Sequence, residues 1–221
     1  MDWTALILSI KLSLATLLFL LPVGIILGRW LAYRHFFGKS LIQSLLALPL
    51  VLPPTVLGYY LLVVFSPTHG LGLWLQQTFG ATLVFNFQGL LLASIIFNLP
   101  FSIQPMQRAF AAIPREIREA AACCGMNPNR VLLKIELPLA WPGIVSAMIL
   151  TFAHTLGEFG IVLMVGGNIP AETQTISIAI YDRVQAFDQQ AASIMSFSLL
   201  LFSIMTISFT YWLSARHEHS V

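Results

Sequence analysis

Charge is what this sequence has least of. Asp, Glu, Lys and Arg make up 9% of its 221 residues, against about 25% in an ordinary soluble domain. Apolar residues make up 57%, and the mean hydropathy is +0.84. A soluble domain of this length keeps too much surface for its volume to hide so much apolar area, so the bilayer is the solvent. Cysteine is also scarce. Cys123 and Cys124 are adjacent, and neighbours on a helix point in different directions, which makes a bridge between them geometrically poor. No CxxC or Cys/His spacing marks a metal site, and the pair reads as small apolar residues in a reducing compartment. The histidines His35, His69, His154, His217 and His219 are scattered and suggest no metal either. A GxxxxGK[ST] phosphate loop is missing, which excludes the usual route to ATP hydrolysis by this chain. The net charge of +2 points to no nucleic acid. No basic region precedes the first apolar run and no small-residue cleavage site follows it, so the run is expected to remain as an uncleaved span.

A helix needs about 20 apolar residues to cross the bilayer core. Residues 3–27, 41–65, 87–107, 142–165 and 191–213 qualify, and only Lys11 and Glu158 carry charge within them. The expected architecture is an all-α integral membrane protein with five transmembrane helices in a single domain over residues 1–221. Arg29, Arg34 and Lys39 lie between spans one and two. Arg108, Arg115, Arg118, Arg130 and Lys134 lie between spans three and four, and Arg216 follows span five. The segment 66–86 has no Lys or Arg, and 166–190 has Arg183 alone. Positive residues stay on the cytoplasmic side, which puts the amino terminus outside and the carboxy terminus inside. Residues 71–85 are short, carry Gly72, Gly80, Gln76 and Gln77, and read as an outer loop lying partly in the interface. Pro22, Pro49, Pro53, Pro54, Pro100 and Pro105 lie inside the spans. Each removes a backbone donor and kinks its helix, which is tolerated where neighbours or a wet cavity satisfy the freed carbonyls.

The cytoplasmic loop, about residues 108–141, has a legible local structure. Pro114 suits the start of a helix and Gly125 the left-handed residue past its end. Asn127 can cap a second short helix with Pro128 at its first position, and that helix is expected to finish before Pro138. Glu119, Ala120 and Ala121, then Gly125 and Ile135-Glu136-Leu137-Pro138, follow the pattern EAA, x3, G, x9, I-x-L-P. This resembles the EAA loop of ABC importer permeases. The resemblance implies a MetI-like permease fold and a coupling helix seated in a cytoplasmic ATPase subunit. Glu119, Ala120, Ala121, Gly125, Ile135, Leu137 and Pro138 are then the coupling residues.

Three more segments are similar to the molybdate branch of that family: 48–56 (LPLVLPPTV), 156–160 (LGEFG) and 168–173 (NIPAET). Sulfate permeases share the GEFG element, so LPLVLPP is the better marker for molybdate or tungstate. The branch's usual NIPGET reads NIPAET here. Pro53, Pro54, Thr55, Thr151, Thr155 and Glu158 are candidates for the translocation path or its gate. An acid in hydrocarbon costs at least about 2.5–3.5 kcal/mol, so Glu158 is expected to face a cavity or a partner, paired with His154 or Lys11 or else protonated. A bare carboxylate repels an oxyanion, which favours a structural or gating role. The resemblance further implies a homodimer, two ATP-binding-cassette ATPase subunits that hold ATP and Mg, and a periplasmic or extracellular oxyanion-binding protein. This chain itself is expected to bind no cofactor and to sit among lipids in the bacterial inner membrane. Sulfate, tungstate or another oxyanion is the alternative cargo. A secondary transporter is the alternative machine, and it should show internal repeats.

Overall fold

The computed structural model describes residues 2–68 and 70–218, without the side chains of 209–218. The expectations on His69 and His219, and on the side chains of Arg216 and His217, fall outside the described residues. Among those described there are helices and connections and no strand. The helices are α1 (Trp3–Tyr33), α2 (Lys39–Val51), α3 (Pro54–Phe65), α4 (Gly70–Phe79), α5 (Phe87–Ala111) and α6 (Arg115–Cys123). They continue as α7 (Pro128–Val131), α8 (Leu137–Gly157), α9 (Gly160–Gly166), α10 (Ile176–Gln185) and α11 (Gln189–Glu218). Five helical stretches among the described residues are long and apolar enough to span: 3–33, 54–79, 87–111, 128–157 and 189–208.

The bundle is organised around α1, α5 and α8. Asp2 caps α1 by accepting from Ala5 N at 3.0 Å. The face that α1 buries interleaves Leu8, Leu12, Leu20 and Leu31 with small or polar residues, Ala5, Ser9, Ser13, Thr16, Gly24 and Gly28. Hydrocarbon gives helices no hydrophobic reason to associate, so close backbone approach and interhelical hydrogen bonds do the work. A Cβ on Gly28 would lie 3.0 Å from Gln107 N, and one on Gly24 only 2.4 Å from Ser102 Oγ. Ser102 Oγ donates to Leu20 O at 3.0 Å. Leu20, Gly24 and Gly28 thus meet Ser102, Met106 and Gln107 in that order, so α1 and α5 run parallel. α8 runs antiparallel to α5, with Gly143 against Ala109 at one end and His154 beside Asn98 at the other. Met106, Phe110, Ile113, Ala140, Ile144 and Ala147 form an apolar core where the three meet.

Two spans are broken, which the sequence reading did not place. The stretch 41–65 divides at Leu52 and Pro53, whose ψ angles are 138° and 135°. Each precedes a proline, which disfavours the helical region, and Pro54 then opens α3. The stretch 142–165 divides at Glu158, with ψ 132°, and Phe159. Here no proline is responsible. Gly157 weakens the helix end, and the Glu158 side chain is tied to another helix. The two half-helices beyond the breaks pack together: Gly160 faces Pro54, and Gly58 faces Met164 and Ile161.

Two further expectations are corrected. Residues 71–85 are not all loop, since Gly70–Phe79 forms α4, with Gly72 pressed on the carbonyls of Phe65 and Ser66. Its ten residues rise only about 15 Å, so α4 is no span by itself and extends the stretch begun by α3. The helix begun at Pro128 does not stop before Pro138 either. It passes through a π-helical turn, Leu132–Glu136, closed by Leu137 N donating to Leu132 O, and runs on as α8. The wider turn gives the Pro138 ring room where the carbonyl of Lys134 would otherwise collide with it.

Candidate functional site

The two helix breaks face a shared cavity of about 530 Å³, lined by Pro54, Thr55, Phe97, His154, Glu158 and Gly160 among others. Because the backbone at Glu158 is extended, its side chain leaves the face of α8 and turns between the helices towards α5. It is 5% exposed. Its Oε2 accepts from Ser94 Oγ at 3.0 Å and Asn98 Nδ2 at 3.4 Å, and its Oε1 has no hydrogen-bond partner. Asn98 Oδ1 lies 3.0 Å from His154 Nδ1, and the His154 ring stacks on Phe101 with centroids 3.8 Å apart. The expected pairing of Glu158 with His154 or Lys11 is therefore not what forms: Asn98 stands between the first two, and the Lys11 ammonium lies over the Phe87 ring, 4.6 Å from its centroid.

The other path candidates separate. Pro53 forms the break itself. Thr151 and Thr155 sit on the packed side of α8. Thr155 Oγ1 donates to Thr151 O at 2.8 Å, whereas Thr151 Oγ1 has no hydrogen-bond partner. Neither hydroxyl is within the cavity lining.

At the other end, α6 projects beyond the helices whose ends carry Arg29, Arg34 and Arg108. Ala121 is its buried residue, while Glu119, Ala120 and Ala122 are exposed. Glu119 pairs with Arg115 one turn earlier, both in solvent. Gly125 has φ +71°. Gly125 N donates to Ala122 O at 2.9 Å and Met126 N to Ala121 O at 3.2 Å, which satisfies carbonyls that the helix end leaves open. Asn127 Oδ1 then accepts from Arg130 N at 2.8 Å, so the next helix starts at once. Of the I-x-L-P residues, Ile135 and Leu137 are half-buried and Pro138 is exposed. A groove of about 720 Å³ beside α6 is lined by Tyr33, His35, Ile113, Arg115 and Glu119 among others.

The sequence reading missed Glu136, the variable member of I-x-L-P. Its side chain is 1% exposed and pairs with Arg29 of α1 and Arg118 of α6. One signal was available: Glu136 is the sole acid between Glu119 and Glu158, set in an apolar run.

The "Molybdenum transport system permease protein ModB" of Azotobacter vinelandii is 42% identical over 210 residues, covering 95% of this chain and 93% of the relative. The protein of the same name from Haemophilus influenzae is 36% identical over 220 residues, covering 99% and 96%. Among solved structures, a bacterial ABC transporter that imports the acidic polysaccharide alginate superposes with a TM-score of 0.78 at 19% identity, over 96% of this chain and 78% of that one. The MetNI methionine ABC transporter superposes at 0.69 and 17% identity, over 97% and 93%. These two establish a shared fold, the MetI-like permease fold. Residues 21–219 match the family described as "Binding-protein-dependent transport system inner membrane component". The chain belongs to that family, as a multi-pass inner-membrane permease subunit of an ABC transporter and not as an enzyme.

Proposed function

We propose that the chain carries molybdate through the inner membrane, as a homodimer with its path on the two-fold axis. Two ATPase subunits that hold ATP and Mg bind its cytoplasmic face, and an oxyanion-binding protein docks outside. The amino terminus faces outward and the carboxy terminus the cytoplasm. The observation that carries the transport role is the exposed helix α6 (Arg115–Cys123), which presents Glu119, Ala120 and Ala122 to solvent and buries Ala121. A small-residue surface of this kind suits close approach by a partner. Molybdate as cargo draws its support from the relatives named for molybdenum transport, which match along nearly the whole chain.

ATP binding closes the ATPase pair and moves Glu119 to Gly125 along with it. Ile135, Leu137 and Pro138 pass the movement into α8, and the breaks at Pro53-Pro54 and Glu158 act as its hinges. Each state binds substrate and nucleotide differently, which is what drives alternating access. Glu158, beside Thr55 in the cavity, serves as a gate: a carboxylate repels a dianion at close range, so it does not hold the cargo.

The test is uptake of labelled molybdate at trace concentration by cells with and without this chain, with sulfate and tungstate as competitors. Uptake that needs the chain and ATP, and that resists excess sulfate, is expected. Uptake abolished by sulfate moves the cargo to that anion, and uptake independent of the chain removes the proposal.

A further inference from the structure

We propose that Glu136 is the joint that fixes the ATPase-facing helix to the first span, and that it is a positioning residue for coupling. This rests on the transport reading above. Glu136 sits in the π-helical turn at the root of α8. Arg29 of α1 reaches it twice, through Nε to Oε2 at 2.5 Å and Nη2 to Oε1 at 3.3 Å. Arg118 of α6 reaches Oε1 through Nε at 3.5 Å. The Arg118 guanidinium also lies 3.4 Å from the Tyr33 ring centroid, and that of Arg29 lies 5.8 Å from it. One buried carboxylate thus gathers three elements that sequence order keeps apart: the end of a span, the coupling helix and the start of another span.

The arrangement is asymmetric in a way that suits transmission. Two cations share one anion, and a buried ion loses heavily when its partner leaves. The Arg29 contact is short and doubled; the Arg118 contact is single and longer. When α6 shifts, Arg118 either draws Glu136 with it or yields it to Arg29. Either way the root of α8 feels the movement. From Glu136 a continuous helix runs about 30 Å to the break at Glu158, so displacement at the root arrives at the gate. Without Glu136, Arg29 and Arg118 lie beside the same Tyr33 ring with no shared anion and repel, which frees α6 from α1.

The experiment uses the full complex, with ATPase and binding protein, in proteoliposomes. Glu136→Gln is expected to co-purify with the ATPase and keep basal ATP hydrolysis. Stimulation of hydrolysis by the loaded binding protein should fall tenfold or more, and uptake with it, while Glu136→Asp restores at least half of the stimulation. Arg118→Gln leaves the buried Arg29–Glu136 pair intact and is the companion variant should Glu136→Gln fail to accumulate; it should show the same loss. A ratio of stimulated to basal hydrolysis equal to the unaltered complex, in either assembled variant, overturns the joint while leaving the transport reading intact. An unaltered complex without ATP-dependent oxyanion uptake overturns the transport reading, and the joint with it.

Discussion

Glu158 and His154 lie one turn apart in sequence yet meet only through Asn98, whose amide nitrogen donates to the carboxyl and whose carbonyl oxygen faces the imidazole. The link crosses from α8 to α5 beside the helix break, so Glu158 is wired to the neighbouring helix and not to a counter-ion.

Glu158→Gln tests that wiring. A glutamine oxygen can still accept from Ser94 and Asn98, so the complex should assemble and its apparent Tm should change little. Loss of binding-protein-stimulated transport in that assembled complex is the expected result. Unchanged transport would remove Glu158 from the mechanism.

Ala171 occupies a left-handed position, φ +66°, in the loop where the molybdate branch usually has glycine. The loop is otherwise well held: Thr173 Oγ1 donates to Gly166 O and accepts from Ile169 N. An alanine strained in this region should be relieved by Ala171→Gly, with a gain of about 1 kcal/mol. Thermal unfolding in detergent should register a higher apparent Tm; a lower one would show that the loop tolerates alanine without strain.

Gly28→Val should do the opposite. Its Cβ would press on the Gln107 backbone, which cannot rotate away as a side chain can. Overpacking of this kind costs about 1–3 kcal/mol. A reduced Tm and poorer recovery of intact protein are expected, and an unaltered Tm would mean that α1 and α5 can part.

Glu119→Gln separates folding from coupling. Its ion pair with Arg115 is solvent-exposed, and such pairs contribute roughly 0–1 kcal/mol. The Tm should barely move, whereas ATPase co-purification or transport should fall about tenfold, a loss of roughly 1.4 kcal/mol in coupling. Full transport in this variant would place the ATPase contact elsewhere on the chain.

Much of this was legible in the sequence. Apolar run length gave five spans, and the Gly125 turn and Asn127 cap follow from local chemistry that needs no tertiary context. What stayed hidden depends on contacts between distant positions. Arg29 and Glu136 are separated by 107 positions, and no periodicity predicts such a meeting. The direction of Glu158 also escaped, because a helical reading aims it at His154 one turn away, while its extended backbone turns it towards Ser94. Pro138 misled for a related reason: the rule that proline ends a helix assumes the ordinary turn, and a wider one was used.

The π-helical turn at Leu132–Glu136 has a geometric consequence of its own. Relative to an α-helix it holds one additional residue, and one residue is about 100° of rotation. It therefore sets the phase between the two ends of a single rod. Were the same residues wound as an ordinary α-helix throughout, His154 and Glu158 would turn by about that angle away from Asn98. Glu136 and Glu158 would each keep their chemistry and lose their alignment.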